Sequence, residues 1–305
     1  NHVFVLEQVI HAAGSTEQST ELNVVGHVGG IAVGERIWSS RFVGDRGYLV
    51  TFRNIDPLWT LDLSDPANPQ VIGELEVPGV STYIHPLDEN HLLTIGIGGD
   101  ENGLDWGSTQ ISLFDVTDFE NPVLASKLEL SPVAADEKHE WSWARSEATY
   151  EHKAFQYWNG QLAIPLSTYR YTWDESGYGH YEYVSKLVLV DVSTTDGLTV
   201  YDGTSIDHSM FYNDMGEWYW DRPDIRRTVF INDYVYAISQ HGVTVHQIDT
   251  MALTDYAGLP VSDPGFYYEE WEDKPGEERE DESDPNDPDD EESDENGTTS
   301  SDNSG

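Results

Sequence analysis

Histidine and carboxylate side chains gather in the middle of this 305-residue chain, where they could hold a metal ion. The chain has 11 histidines, of which His152 follows Glu151 and His208 follows Asp207. Imidazole together with carboxylate suits zinc and other transition metals. One hypothesis is therefore a metal-dependent hydrolase, with His152 and His208 where the first strands of several sheets converge.

The motifs of known hydrolytic sites are missing from the same region. The stretch that begins at His139 reads His-Glu-Trp-Ser-Trp and lacks the second histidine of a helical zinc motif. The serines near these histidines do not lie in a Gly-x-Ser-x-Gly turn, and a chain without cysteine has no thiol chemistry. We expect residues 147–155 to form an innermost strand, where His152 would join a hydrogen-bond network between sheets. The sequence thus favours a protein without catalytic activity and keeps the metal-dependent hydrolase as the alternative.

An oxygen-rich stretch suggests calcium. Residues 98–105 read Gly-Gly-Asp-Glu-Asn-Gly-Leu-Asp, which places Asp100, Asn102 and Asp105 among glycines in a loop between strands. Oxygen ligands at such spacing resemble a calcium loop, although the bidentate glutamate at its end is missing. The alternative is a solvated turn. No other cofactor is indicated by the sequence.

Aromatic residues at alternating positions give the best indication of a binding surface. Period-two spacing in two adjacent segments predicts a long hairpin, inserted into the third complete sheet, with its aromatic side chains on one face. A second aromatic loop spans residues 211–220. The candidate binding residues are Tyr169, Tyr171, Trp173, Tyr181, Tyr183, Trp218 and Trp220. Exposed aromatic side chains suit a protein or glycan partner, and the alternative is that they cover a neighbouring sheet.

The elements that must position these residues follow from an internal repeat. Apolar strands that end in Asp and turn residues recur at residues 59–69, 111–122, 187–197 and 243–250. Together with the strands around them they form units of four short strands, which predicts antiparallel blades arranged around an axis. The predicted fold is an all-β propeller of about four and a half blades over residues 1–262. Residues 3–7 and 22–27 would be the outer half of an incomplete first blade. The aspartates at the strand ends are explained by side-chain bonds to the turn backbone.

The charge of the chain excludes some partners. The formal net charge is −42, and residues 261–305 hold 19 acidic residues against Lys274 and Arg279. Such a field repels nucleic acid, although acidic surfaces are also a habit of proteins from high-salt settings. Residues 263–305 have too little apolar content to fold, so we expect a disordered tail or linker. No apolar run approaches the roughly 20 residues that span a bilayer.

One family resemblance is carried by six segments, three of which are the short stretches 73–75, 85–93 and 112–116. Residues 34–59 begin Gly-Glu-Arg-Ile-Trp-Ser-Ser-Arg-Phe, residues 61–69 read Leu-Asp-Leu-Ser-Asp-Pro-Ala-Asn-Pro, and residues 146–155 read Ser-Glu-Ala-Thr-Tyr-Glu-His-Lys-Ala-Phe. They resemble the secreted β-propeller domain family of bacteria and archaea, which is distantly related to WD-repeat propellers. The resemblance covers roughly residues 24–250. It implies an extracellular or cell-surface propeller and supplies no catalytic residues. It also implies that the N-terminal blades are missing from this chain, in which no signal peptide is visible.

Overall fold

The structure is a computed structural model. It describes residues 1–13, 17–52, 56–100, 103–130, 139–173, 176–201, 206–211 and 224–260. Asn102, Trp218, Trp220 and the acidic tail from residue 263 lie outside these ranges.

The described residues form five antiparallel sheets that follow one another along the chain. Sheet 1 has two strands, β1 (His2–Ala13) and β2 (Glu17–Gly29). Sheet 2 contains β3 (Arg36–Val43), β4 (Arg46–Phe52), β5 (Asp56–Asp62) and β6 (Gln70–Val77). Sheet 3 contains β7 (Val80–Pro86), β8 (His91–Asp100), β9 (Gly103–Asp115) and β10 (Val123–Leu130).

Sheet 4 is larger than its neighbours. It contains β11 (His139–Arg145), β12 (Gln156–Trp158), β13 (Gln161–Trp173), β14 (Gly179–Ser193), β15 (Gly197–Val200) and β16 (Ile206–Asp207). Sheet 5 contains β17 (Ile225–Ile231), β18 (Tyr234–Ser239), β19 (Gly242–Gln247) and β20 (Leu253–Gly258). The prediction of an all-β chain built from four-stranded antiparallel sheets is therefore confirmed, and so is a two-stranded first sheet.

The prediction of an innermost strand over residues 147–155 is wrong. Two 3-10 helices, Glu147–Thr149 and His152–Ala154, occupy this segment, and a third lies at Ser209–Phe211. The Ser146 hydroxyl accepts a hydrogen bond from the Ala148 N–H at 3.2 Å, and the Glu151 carboxylate accepts one from the Lys153 N–H at 3.1 Å. Short polar caps of this kind offer the backbone an alternative to sheet pairing. The place of the first strand is taken by β11 and the short β12, which both pair with β13.

Four apolar clusters join the sheets in chain order. Val3 and Ile31 pack on Leu49 and Leu61, which joins sheet 1 to sheet 2. The other junctions are built in the same way. Sheet 2 packs on sheet 3 through Tyr48, Val50 and Leu58, which contact Ile84, Leu92 and Phe114. Sheet 3 packs on sheet 4 through Leu93, Ile95 and Ile111, which contact Leu162, Ile164 and Val188. Sheet 4 packs on sheet 5 through Ala163, Leu187 and Leu189, which contact Ile225, Val235 and Ala237.

Middle strands are buried on both faces. Leu92 belongs to the junction with sheet 2, and the next residue, Leu93, belongs to the junction with sheet 4. In the same way, Ile164 belongs to the junction with sheet 3, and the preceding residue, Ala163, belongs to the junction with sheet 5. Strands with two buried faces are continuous apolar runs rather than alternating ones, which is the pattern of Leu-Leu-Thr-Ile in β8.

Aspartates close the turns after the third strands. The Asp62 carboxylate accepts a hydrogen bond from the Ser64 N–H at 2.8 Å, and Asp115 accepts one from the Thr117 N–H at 2.8 Å. Hydrogen bonds from the side chains of Ser64 and Thr117, followed by these backbone bonds, favour the ionised carboxylates and lower the pKa of both. In the described part of the chain, none of the helices has the length and apolar character of a membrane span.

Candidate binding surface

A row of three aromatic side chains crosses sheet 4. Trp143 of β11 lies opposite Tyr169 of β13, which lies opposite Tyr183 of β14. The rings of Trp143 and Tyr169 are stacked with centroids 3.7 Å apart, and those of Tyr169 and Tyr183 are 4.4 Å apart. All three residues are partly buried. Because adjacent strands lie about 4.8 Å apart, the row spans roughly 10 Å of sheet.

The sequence continues this row toward the end of the hairpin. Trp141, Tyr171 and Tyr181 occupy the next matching positions of the same three strands. Residues two apart in a strand share a face, so the backbone places six aromatic residues on one side of the sheet. The structure describes the side chain of Tyr171, which is partly buried, but not those of Trp141, Trp173 and Tyr181. We call these two rows the aromatic face.

The sequence indicated that this hairpin is inserted into its sheet, and that prediction is wrong. β13 and β14 are the two central strands of sheet 4, and each runs on beyond the part that packs against sheet 5. Tyr183 and Leu187 are four positions apart in β14, so they lie on the same face of the strand. The Leu187 side chain lies in the junction with sheet 5. The aromatic face therefore continues a buried sheet face past the point where sheet 5 begins.

A carboxylate stands at the edge of the aromatic face. The Tyr183 hydroxyl donates to the Asp224 carboxylate and lies 3.1 Å from the Ser167 hydroxyl. Burial and then the hydrogen bond to Asp224 raise the pKa of Tyr183 above its ordinary value. Tyr183 is thus a neutral donor across the physiological pH range.

An ion-pair cluster fixes Asp224 and the start of β17 relative to sheet 4. The largely buried Glu147 carboxylate receives Arg227 at 2.7 Å and also pairs with Arg226. Glu151 lies 3.6 Å from the second terminal nitrogen of Arg227. The Ile225 N–H donates to the Ser185 hydroxyl at 3.1 Å. These contacts hold the two sheets together beside the aromatic rows.

The two histidines proposed as metal ligands lie in different surroundings. His208 is fully buried, and its ring nitrogens lie 2.8 Å from the Ser239 hydroxyl and 3.0 Å from the Thr244 hydroxyl of sheet 5. Burial, and then His246, lower the pKa of His208 to about 4. His152 is mostly exposed and its ring lies 6.4 Å from that of Tyr83 in sheet 3. Across the ranges that the structure describes, no three His, Asp or Glu side chains form a group suited to a metal ion.

Two of the proposed calcium residues, Asp100 and Asp105, lie where β8 and β9 pair. Asp100 pairs with Gly103, and Gly98 pairs with Asp105, whereas Asn102 lies outside the described residues. Asp100 and Asp105 are exposed. The Asp105 carboxylate accepts a hydrogen bond from the Gly107 N–H at 2.8 Å, as expected for a turn aspartate. Calcium binding by Asp100, Asn102 and Asp105 stays a prediction.

Comparison with protein families decides the architecture. Residues 1–251 match the family described as "Beta propeller domain". This chain belongs to that family. Its five sheets are the blades of a propeller, and the aromatic face lies on the fourth.

The propeller has relatives in archaea. It is 47% identical over 112 residues to an uncharacterized protein of Methanocaldococcus jannaschii and 47% identical over 102 residues to one of Archaeoglobus fulgidus. These matches cover 37% and 33% of this chain, and the propeller spans only 17% and 15% of the two relatives.

Solved propellers are more distant. The β-propeller domain of Vanderwaltozyma polyspora Nup133 is 10% identical with a TM-score of 0.34, over 83% of this chain and 65% of that one. Kluyveromyces lactis Hsv2 is 12% identical with a TM-score of 0.34, over 85% and 64%.

The sequence prediction did not include three residues of this surface, Trp141, Trp143 and Asp224. Trp141 and Trp143 alternate as strand residues do, and this alternation is the signal that identifies them. Asp224 gave no signal, since only the packing of β17 beside β14 brings it to Tyr183. The register of β11 with β13 identifies the two tryptophans, whereas Asp224 is identified only by its contact with Tyr183.

Proposed function

We propose that this propeller is an exported, non-catalytic binding module, and that the aromatic face of the fourth blade recognises a glycan. The observation that carries the proposal is the row formed by Trp143, Tyr169 and Tyr183. Aromatic rings offer flat apolar surfaces, and their polar edges donate or accept hydrogen bonds. Sugars present both apolar C–H faces and hydroxyl groups, so rings beside a carboxylate match them.

Three features support a glycan as the partner. Asp224 and Ser167 place a carboxylate and a hydroxyl at the edge of the rings, where they can bond sugar hydroxyls. A few placed polar groups beside an apolar surface are the usual composition of a small-molecule site. The net charge of −42 does not repel an uncharged sugar. A glycan outside the cell also agrees with the extracellular or cell-surface location proposed from the family resemblance.

The test is affinity electrophoresis through native gels that contain neutral polysaccharides. We expect at least one polysaccharide to retard the wild-type chain, and Tyr171→Ala to lose most of that retardation. Trp158→Ala is the matched control, because Trp158 is an exposed aromatic residue of the same blade outside the aromatic face. Equal retardation of Tyr171→Ala and wild type, or no retardation by any polysaccharide, would count against a glycan partner. Retardation lost equally in Trp158→Ala would place the site elsewhere.

A further inference from the structure

A row of polar residues borders the aromatic face. Arg145 follows Trp143 by two positions in β11, so the two side chains lie on the same face of the sheet. The strand register places Arg145 opposite Ser167 of β13, and Ser167 lies opposite Ser185 of β14. This polar row lies directly beside the aromatic row that contains Trp143. A ligand that rests on the rings therefore meets these polar groups as well.

Arg145 is an exposed cation that forms neither an ion pair nor a hydrogen bond with any residue in the described ranges. By contrast, Arg226 and Arg227 both bind the carboxylate of Glu147. The charge of Arg145 acts on the nearby phenol of Tyr150. Burial and then Glu147 raise the pKa of Tyr150, and Arg226 and Arg145 oppose that rise. The guanidinium of Arg145 is thus a hydrogen-bond donor beside the rings.

A donor and an acceptor stand on opposite sides of the aromatic face. Arg145 belongs to β11, the first of its three strands, whereas Asp224 contacts Tyr183 of β14, the third. Both charges act on Tyr150, so both lie within electrostatic reach of one point. A guanidinium only donates hydrogen bonds, and an ionised carboxylate only accepts them. The hydroxyl of Ser167, on the strand between them, can do either.

An acetamido group has the chemistry that matches this arrangement. Its planar trans amide presents a carbonyl oxygen on one side and an N–H on the other. The carbonyl accepts from a guanidinium, the N–H donates to a carboxylate, and the methyl group offers an apolar contact for a ring. A sugar hydroxyl is too small to reach both sides. An N-acetylated sugar is also uncharged, so the net charge of −42 does not repel it.

We propose that the glycan bound by the aromatic face contains N-acetylated sugars and that Arg145 determines this specificity. The inference rests on the proposed function, because it names the class of sugar that the same face recognises. Arg145 donates to the acetamido carbonyl, and Asp224 accepts from the amide N–H. A hydrogen bond to a charged group contributes more than one between neutral groups. The rings therefore supply contact area, and Arg145 supplies selectivity.

The test compares two tetrasaccharides that share one backbone. Chitotetraose and cellotetraose differ only at the second carbon of each sugar, which carries an acetamido group in the first and a hydroxyl in the second. Titration calorimetry measures the affinity of the chain for each. We expect the wild type to bind chitotetraose on the order of tenfold more tightly. Arg145→Met, which removes every donor of the side chain, should lose this preference and keep its affinity for cellotetraose.

Arg41→Met is the matched control, because it removes the same charge from an exposed position on the first strand of blade 2. It should bind both tetrasaccharides as the wild type does. Equal affinity of the wild type for the two, no binding of either, or an undiminished preference in Arg145→Met would overturn the proposal. If a neutral polysaccharide still retards the wild type and Tyr171→Ala loses that retardation, glycan binding stands without this specificity.

A third ligand separates hydrogen bonding from charge. The deacetylated form of chitotetraose carries positively charged amines, which cannot accept a hydrogen bond from Arg145. At about 0.15 M salt, where the Debye length is about 8 Å, it should bind the wild type more weakly than chitotetraose. Tighter binding would show that the face selects positive charge, and the proposal would be wrong. Arg145→Met should unfold in urea at the wild-type midpoint, so a lost preference reports on recognition and not on folding.

Discussion

At the residue scale, short polar side chains settle the local structure and buried histidines tune its stability. Aspartates after the third strands close turns by accepting backbone N–H bonds, as Asp62 and Asp115 do. His208 connects the segment after blade 4 to Ser239 and Thr244 of blade 5. Its fully buried ring is neutral when the two blades are docked, since burial disfavours the charged form.

The burial of His208 predicts an acid-sensitive blade junction. Its pKa is about 4 in the folded chain against an ordinary value of 6.5, so the unfolded chain binds more protons between these values. Stability is therefore complete above about pH 6.5, falls as the pH decreases, and levels off near pH 4. Burial also lowers the pKa of His246 and His85, so they act in the same direction. The total loss should be on the order of 3 kcal/mol for His208 alone.

Urea unfolding at intervals from pH 8 to pH 4.5 measures this effect. His208→Gln keeps hydrogen-bonding groups near Ser239 and Thr244 but has no proton to gain, so its pH dependence should be shallower than that of the wild type. The exposed His11 provides the control, and His11→Gln should follow the wild-type curve. Parallel curves for wild type and His208→Gln would show that His208 does not couple pH to stability.

At the element scale, blade 4 is the only sheet of the described chain with six strands, and its extended central hairpin carries the aromatic face. The part of this hairpin that lies away from its turn packs against blades 3 and 5. Ion pairs between Glu147 and the two arginines of β17 hold blade 5 beside that hairpin. Removing one partner of a largely buried pair leaves an uncompensated charge, which costs more than the loss of an exposed pair.

A double-mutant cycle on Glu147 and Arg227 tests this coupling. We expect Glu147→Gln and Arg227→Gln to interact by about 1 kcal/mol, because the carboxylate is largely buried and holds two arginines. The exposed pair Lys127 and Glu129, 3.8 Å apart, is the comparison and should give less than about 0.5 kcal/mol. Equal coupling energies, measured by urea unfolding, would mean that the cluster contributes no more than a surface pair.

The architecture could be predicted from the sequence because its signals are local and repeated. Apolar runs such as Leu92–Leu93 and the Asp-containing turns at Asp62 and Asp115 define strands and their ends without knowledge of the packing. The segment 147–155 could not be assigned in this way, since its residues suit a strand and only the caps at Ser146 and Glu151 give 3-10 helices. The aromatic residues were found by alternation. Their partner Asp224 depends on contacts between blades, which no local pattern records.

At the scale of the whole molecule, neighbouring blades pack against each other through their sheet faces, and the side chains of each face indicate what it contacts. Four junctions are apolar on both sides. The outward sides of blades 1 and 5 carry exposed apolar side chains together with polar ones. The aromatic face differs from all of them, because hydroxyls and a carboxylate border its rings. We therefore propose the aromatic face, rather than the apolar junction faces, as the recognition surface.

Recognition by the aromatic face, without a role in the core, is tested most directly by the unfolding free energy of Tyr171→Ala/Trp173→Ala, in which Trp173 is the residue two positions after Tyr171 in β13. We predict a change within about 1 kcal/mol of the wild type, as for surface substitutions away from the core. Ile164→Ala, on the opposite, fully buried face of the same strand, should cost about 2–5 kcal/mol. If the double variant loses as much stability as Ile164→Ala, these aromatic side chains are core residues and the recognition surface does not exist.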